Sequence, residues 1–379
     1  MPPTSPRPRR RPFRAPTLAA AALALVLGAC GSSDDASDDA SAATVPATSP
    51  AAEDAADRDE TSTATDDEIP DGLTLVVAEQ NSSESIPWHL SGAGEGAPYD
   101  VEFANFNGGA AVIEALRAGG ADVGYLGEAP IPIAVAAGVD DIVAVAISAN
   151  PGSSGNYYLV ANPDRGLETV QDLKGRKVAY PPGTGRHMIL AAILADAGLT
   201  LGTDVEAVEL AGTEVAPTFA SGAVDAAMIL GGQLFRLGEP PILDDGAGDN
   251  WGLNVLAVRR DTLDDPGKVA AIRDYVGRTV AAHNWQVDHV DEYVQGVYVE
   301  QQGLTAEQGR RLVDEAGFGS YYPIDDALVA VFQQIADGLH DTGAIAEPVD
   351  ISPYVDDRFN DVVVARNEAD GVVPKPLTQ

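Results

Sequence analysis

From Leu73 onward, short apolar runs alternate with stretches of helical spacing. Leu73 to Ala78, Val101 to Phe106, Asp122 to Leu126 and Ile142 to Ser148 read as buried strands. Tyr157 to Ala161, Lys177 to Tyr180, Val205 to Glu209 and Ala226 to Leu230 repeat the pattern. Between them, Ala110 to Ala118 has its apolar residues one helical turn apart, and Pro130 to Ala137 predicts a helix opened by proline and closed by Gly138. Short apolar strands separated by helices predict an α/β chain with mostly parallel sheets. About 310 residues are too many for one typical core, so two lobes are expected. After Ala257 the texture changes to long helices, Lys268 to Gln302, Ala306 to Glu315 and Asp325 to Asp341, with Trp285, Tyr293 and Tyr298 expected in the core. His283 and His289 lie out of phase with the i, i+4 spacing of a helical metal pair, and no metal or cofactor is expected.

The first 70 residues have a different character. Arg7, Arg9, Arg10, Arg11 and Arg14 precede an apolar run from Leu18 to Leu27. A membrane-spanning helix needs about 20 such residues, so this run suits the apolar region of a signal peptide, covering 1–29. It ends in Leu27-Gly28-Ala29-Cys30, which resembles the lipobox of bacterial lipoproteins, whose cysteine is lipidated and becomes the first residue. Cys30 is the only cysteine in the chain, so no disulfide can form within it. Residues 30–71 are then expected to be the lipidated cysteine and a disordered acidic tether, rich in Ser, Asp, Ala, Thr and Pro and without hydrophobic period. A coil of this length spans on the order of 35 Å.

The formal net charge is −35, and removing residues 1–29 deletes five arginines and no acid. A surface of that sign repels nucleic acid and anionic lipid. It also makes any local basic site more informative.

The richest such stretch is DLKGRKVAYPPGTGRHMILAAILADAGL, Asp172 to Leu199. It reads as turn, buried strand, glycine-bearing loop and helix. A loop of this kind directs free backbone N–H groups at an anion. Thr184 is placed to cap the helix, and Arg186 adds a guanidinium in its first turn. Two further glycine turns follow strands, Asn107-Gly108-Gly109 and Gly127-Glu128-Ala129-Pro130. Ligands of open α/β sheets bind beyond the carboxyl ends of the strands, where Gln80, Gly108, Gly127, Ser148, Thr184 and Gly231 all fall.

Three segments carry a family resemblance that covers nearly all of Leu73 to Val363: VIEALRAGGADVGYLGEAPIPIAVAAG (Val112 to Gly138), VQDLKGRKVAYPPGTGRHMILAAILADAGL (Val170 to Leu199) and TFASGAVDAAMI (Thr218 to Ile229). The chain resembles periplasmic substrate-binding proteins of the nitrate/sulfonate/taurine ABC transporter group, and among them alkanesulfonate-binding proteins most. The resemblance implies a bilobed type II periplasmic-binding-protein fold, with two mostly parallel-sheet lobes joined by crossover strands near Asn156 to Ala161 and Leu253 to Val258. Lobe 1 would comprise 72–157 and 256–379, and lobe 2 would comprise 158–255.

The implied ligand set is Gln80, Gly108, Gly109, Gly127, Glu128, Ala129, Ser148, Thr184, Gly185, Arg186 and His187, with Gly231 and Gly232 in the turn after the Ala226 strand. Many relatives carry a Trp-Asp-Pro type turn where this chain has Leu230-Gly231-Gly232-Gln233-Leu234. Trp88 is a candidate replacement for the lost aromatic wall. Glu128 could hold a ligand ammonium or point to solvent, and His187 could donate to the ligand or pack within its helix.

The resemblance implies a lipid-anchored extracytoplasmic receptor on the outer face of the bacterial membrane, a monomer that delivers its solute to an ABC permease. The expected solute is a small anion, an aliphatic sulfonate or taurine-like compound, with nitrate, bicarbonate or a pyrimidine as alternatives. A sensor serving no permease is a further possibility, and the rival of another class is an enzyme of the thiamine-pyrimidine synthase-like group. The five histidines are dispersed, and no nucleophilic triad is readable in the sequence.

Overall fold

A computed structural model describes residues 68–153, 155–248 and 250–378. The signal-peptide, lipobox and most of the tether readings, Cys30 included, lie outside the described residues. The chain opens with β1 (Thr74–Glu79), α1 (Ser85–Leu90), β2 (Asp100–Asn105), α2 (Gly109–Arg117), β3 (Val123–Gly127), α3 (Pro130–Ala136) and β4 (Ile142–Ala149). Then come β5 (Tyr157–Ala161), β6 (Lys177–Tyr180), α4 (Gly185–Asp196), β7 (Glu206–Glu209), α5 (Val215–Ala220), β8 (Ala226–Leu230), α6 (Gly231–Arg236) and β9 (Ile242–Asp244). The remainder is β10 (Asn254–Arg259), α7 (Pro266–Asp288), α8 (Val290–Tyr293), α9 (Ala306–Ala316), β11 (Ser320–Tyr322), α10 (Asp326–Asp341) and α11 (Asn360–Ala369).

The strands form two sheets, in the orders β11-β4-β10-β3-β1-β2 and β7-β6-β8-β5-β9. The chain leaves the first sheet after β4, builds the second and returns through β10. Both crossover strands therefore run against their neighbours: β5 is antiparallel to β8 and β9, and β10 is antiparallel to β3 and β4. The sheets are mixed rather than mostly parallel, because a strand entering from the other sheet arrives in the opposite sense. The switch points differ slightly from the expected 157/158 and 255/256, since Tyr157 pairs in the second sheet and Asn254 and Val255 in the first.

Each sheet is packed on both faces. β4 is buried along its whole length, as a central strand covered on two sides must be. One face of the first sheet meets α2, α3 and α10 through Leu116, Leu126, Ile131 and Phe332; the other meets α7 through Ile272, Tyr275 and Val276. Each fully buried Leu or Ile of this kind contributes roughly 1.5–3 kcal/mol. Gly109 is required on steric grounds. A Cβ there would lie 2.2 Å from Pro130 Cγ, so only glycine lets α2 and α3 start side by side.

The C-terminal helices divide between the sheets, which corrects the assignment of everything after 256 to one lobe. The helix predicted as Lys268 to Gln302 breaks at His289, whose φ of −119° and ψ of 41° are not helical. The His289 ring stacks on Trp285 at 4.5 Å. Beyond the break, a wide helical turn at Val294–Gln301 and α9 carry Val294, Tyr298, Leu312 and Val313 into the core of the second sheet, against Tyr158, Ile229 and Leu234. The apolar residues of this segment have no cover on the first sheet, whose α7 face is filled by Val276, Val280, Phe359 and Val363.

Candidate functional site

The turn after β3 and the start of α4 meet across the two sheets. Pro130 at the head of α3 fixes the turn, and Glu128 just before it is buried at 6 % exposure. A Cβ on Gly185 would lie 2.9 Å from Glu128 Oε1 and 3.4 Å from the Tyr157 hydroxyl. The same contact continues at Gly183, whose Cβ would stand 3.0 Å from Ile133 Cδ1. Glu128 accepts the Leu253 N–H, its Oε2 has no partner, and burial pushes its carboxyl up to about 7. It does not point to solvent.

Arg186 is buried at 9 % exposure, with no partner at Nη1. Burial lowers its pKa, and the nearby Tyr157 phenol opposes that shift. Its guanidinium lies over Gly212, where a Cβ would come within 2.7 Å of Nη2. The first backbone bonds of α4 run from His187 and Met188 to the Thr184 carbonyl. The Gly185 and Arg186 amides precede them, at the positive end of the helix. Thr184 does not cap α4 through its side chain; its hydroxyl donates to the Pro181 carbonyl at 2.9 Å and closes the loop instead. Tyr157 links the two charged groups: burial raises its phenol to about 12, Glu128 adds to the rise and Arg186 opposes it.

Glu79, buried at the end of β1, accepts the N–H groups of Glu84 and Ser85 at 2.8 and 3.0 Å and so holds the start of α1. That places Glu84 in the interior, where burial first and Glu79 second raise its carboxyl well above the usual range. Tyr125 on β3 is raised well above its ordinary value by burial, then by the charge of Glu84, with Tyr293, Tyr275 and Tyr157 also near.

Other expected site residues are placed differently. Gln80 is half-buried in a tight turn whose Asn81 and Ser82 have φ of 55°. Gly108 precedes α2 with φ of 101°, and Ala129, buried, precedes α3. Ser148 lies inside the first sheet between Asn254 and Tyr321, not at an open strand end. His187 packs in its own helix, accepting the Gly183 N–H at Nδ1 and lying 4.8 Å from the Tyr180 ring. Gly231 and Gly232 admit the second sheet's helical cover, because Cβ atoms there would come 2.6 Å from Leu312 and 2.4 Å from Gln302. Trp88 is a core residue stacked on Tyr275 at 5.1 Å.

Tyr157, Tyr125, Glu84, Leu253 and Gly212 join the site without any motif to mark them. Only the Tyr157-Tyr158 pair carries a signal: alternation on a strand sends one ring to each face, and Tyr158 enters the core. A surface groove of about 270 Å³ between α1 and the Val294–Gln301 turn, lined by Ile86, His89, Leu90, Gly296, Glu300 and Gln301, shares none of the site residues.

Two mixed sheets joined by two antiparallel crossover strands, with helices outside, form the bilobed fold of periplasmic binding proteins. The chain belongs to the family of ABC transporter, phosphonate, periplasmic substrate-binding proteins, which matches residues 94–329. A protein of Escherichia coli K12 named for binding aliphatic sulfonates is 36% identical over 126 residues, 33% of this chain and 38% of that protein. One of Bacillus subtilis 168 with the same name is 26% identical over 264 residues, 68% of this chain and 77% of that protein. The chain thus spans well under half the length of the first of these relatives. Among solved structures, the alkanesulfonate-binding protein of Xanthomonas axonopodis pv. citri bound to MOPS superposes with a TM-score of 0.66 at 23% identity, over 76% of this chain and 99% of that one. The desulfurization enzyme DSZB gives a TM-score of 0.54 at 16% identity, over 78% of this chain and 99% of that one. These likenesses establish a shared fold. Among the described residues, no helix is long and apolar enough to cross a membrane.

Proposed function

We propose that this protein is the solute receptor of an ABC importer, anchored through a lipidated Cys30 outside the cell membrane. It would bind a small organic anion, an aliphatic sulfonate or taurine-like compound, in a cleft between its two sheets. The observation that carries this reading is Arg186: a buried guanidinium with an unpartnered nitrogen, at the positive end of α4. A buried cation without a counterion is costly, and an arriving anion removes that cost. A sulfonate is permanently ionised and accepts only, which suits a site made of donors. The sulfonate-binding names of the curated relatives, and MOPS in the Xanthomonas protein, support the same class.

The lobes in this reading are the two sheets with their helices, and the crossovers that lead into β5 and β10 are the hinge. Ligand shifts the equilibrium toward the closed form only by its differential affinity for that form. The contact of Gly185 with Glu128 and Tyr157 is the kind of closure that a ligand held on both sides would favour. The closed receptor then docks on its permease.

Calorimetric titration of the full-length protein with alkanesulfonates, nitrate, bicarbonate and pyrimidines tests the assignment. A sulfonate is expected to bind, and Arg186→Ala to weaken it by about 2–5 kcal/mol. Unchanged affinity in that variant rules out the anion site, and binding of a neutral pyrimidine alone reassigns the solute.

A further inference from the structure

We propose that Asn150 is a node tying together the connections between the two sheets, and that residues 372–378 clasp this node through Lys375 and so favour the closed arrangement. The clasp presupposes that the sheets are lobes that close, whichever solute they close on.

The chain passes between the sheets at more places than the two crossover strands. After α9, whose Leu312 and Val313 lie in the core of the second sheet, it returns to the first sheet at β11. Three connections meet at Asn150, just beyond β4. Its backbone N–H donates to the Trp251 carbonyl at 2.9 Å, in the crossover that leads into β10. Its Nδ2 donates to the Ala316 carbonyl at 2.9 Å, at the end of α9. Ser153 Oγ donates to the same carbonyl at 2.9 Å. A helix leaves its last carbonyls unpaired at its negative end, and this one receives two donors from the crossover into β5. The packing around the node is close. A Cβ on Gly319 would lie 2.7 Å from the Ala149 carbonyl oxygen, and one on Gly252 would lie 3.2 Å from Asn150 Cβ. Asn150 itself is buried.

Lys375 completes the node, its Nζ donating to Asn150 Oδ1 at 3.0 Å. An ammonium only donates and a carbonyl only accepts, so the two partners fix the carboxamide with its oxygen toward Lys375 and its nitrogen toward Ala316. The lysine is presented from the first sheet. Tyr322 on β11 donates its hydroxyl to the Lys375 carbonyl at 2.8 Å, the Val372 N–H donates to the Asn367 carbonyl at 2.8 Å, and Leu377 packs against the first sheet's core. Pro374 and Pro376 flank Lys375 and hold it extended. The gripping groups thus belong to the first sheet and its crossover, while the gripped carbonyl belongs to a helix of the second. Rotating one sheet against the other has to stretch these bonds. They therefore weigh toward the arrangement in which they are made, with Gly185 against Glu128.

Spin labels at Glu102→Cys on β2 and Glu206→Cys on β7, exposed positions on edge strands of the two sheets, report the separation of the sheets by pulsed dipolar resonance. The sample is the ligand-free full-length protein carrying Cys30→Ala. Each hydrogen bond that differs between the arrangements shifts their ratio by about 2–10-fold. Lys375→Met, which keeps the apolar stem, is expected to raise the ratio of long to short separations at least about twofold. Asn150→Ala should raise it further, and Lys375→Arg, which still donates, should leave it unchanged. Melting temperatures are measured alongside, because a purely structural role would lower them without moving the separations. Two separations whose ratio Lys375→Met and Asn150→Ala leave unchanged overturn the clasp alone. One fixed separation in every variant removes the closing lobes as well.

Discussion

Replacing Gly185 with alanine separates closure from folding. Gly185 opens α4 and its φ lies outside the left-handed region, so alanine fits the backbone and helix propensity favours it by up to about 1 kcal/mol. The added methyl meets nothing in its own sheet unit that resists it except the Tyr157 hydroxyl at 3.4 Å. Its hard contact is Glu128 Oε1 at 2.9 Å, on the other sheet. Relief requires moving Glu128 off its rotamer, at about 0.5–1.5 kcal/mol, or parting the sheet edges. If that cost falls only on the ligand-bound closed form, Kd rises by about 2–10-fold. Titration calorimetry and thermal unfolding of the ligand-free protein, run side by side, check both halves. Weaker binding with an unchanged or raised melting temperature is expected. Unchanged affinity would refute the closure argument, and a joint fall in affinity and melting temperature would mean that the methyl damages packing generally.

Two further outcomes follow from the titratable groups and the N-terminal motif. Burial holds the His283 imidazole down at about 4, with a ring N–H donating to the Gly319 carbonyl and the ring edge-on to Tyr321 at 5.3 Å. A folded value below the ordinary 6.5 gives stability that is complete above pH 6.5 and lost as pH falls toward 4, by up to about 3 kcal/mol. Denaturant unfolding of wild type and His283→Gln at pH 7, 5.5 and 4.5 should show the variant losing less on acidification; parallel profiles would contradict this. Cys30→Ala should abolish fatty-acid labelling and release the protein from bacterial membranes, and persistent labelling would remove the lipid-anchor proposal.

Strand positions were legible because each buried strand is a short apolar run between polar turns. Tyr157 to Ala161, Lys177 to Tyr180 and Ala226 to Leu230 match the observed strands residue for residue. The short strands β9 and β11 were not legible, since three residues carry no period. The break at His289 was hidden because apolar residues of helical spacing continue through it; only the second sheet's need for a cover turns the chain there. At the site, the head of α4 was readable as a local motif. Its completion was not: Glu128, Tyr157, Leu253 and Gly212 come from separate segments, and their meeting depends on how two sheets face each other. The glycines at 231 and 232 mislead for a related reason, since a glycine that admits a helix looks in sequence like one that admits a ligand.

The wiring of the C-terminal helices bears on how the protein is made. The second sheet is complete as a set of strands by Asp244, yet the face that Val215, Phe219 and Leu234 begin to cover is completed only by Val294, Tyr298, Leu312 and Val313, after β10 and α7 have returned to the first sheet. Neither half is a contiguous piece of chain. Part of each core therefore waits for residues far along the chain. Chains dominated by such non-local pairings collapse to their native form slowly. The order in which the chain emerges is therefore not the order in which its two cores can be completed.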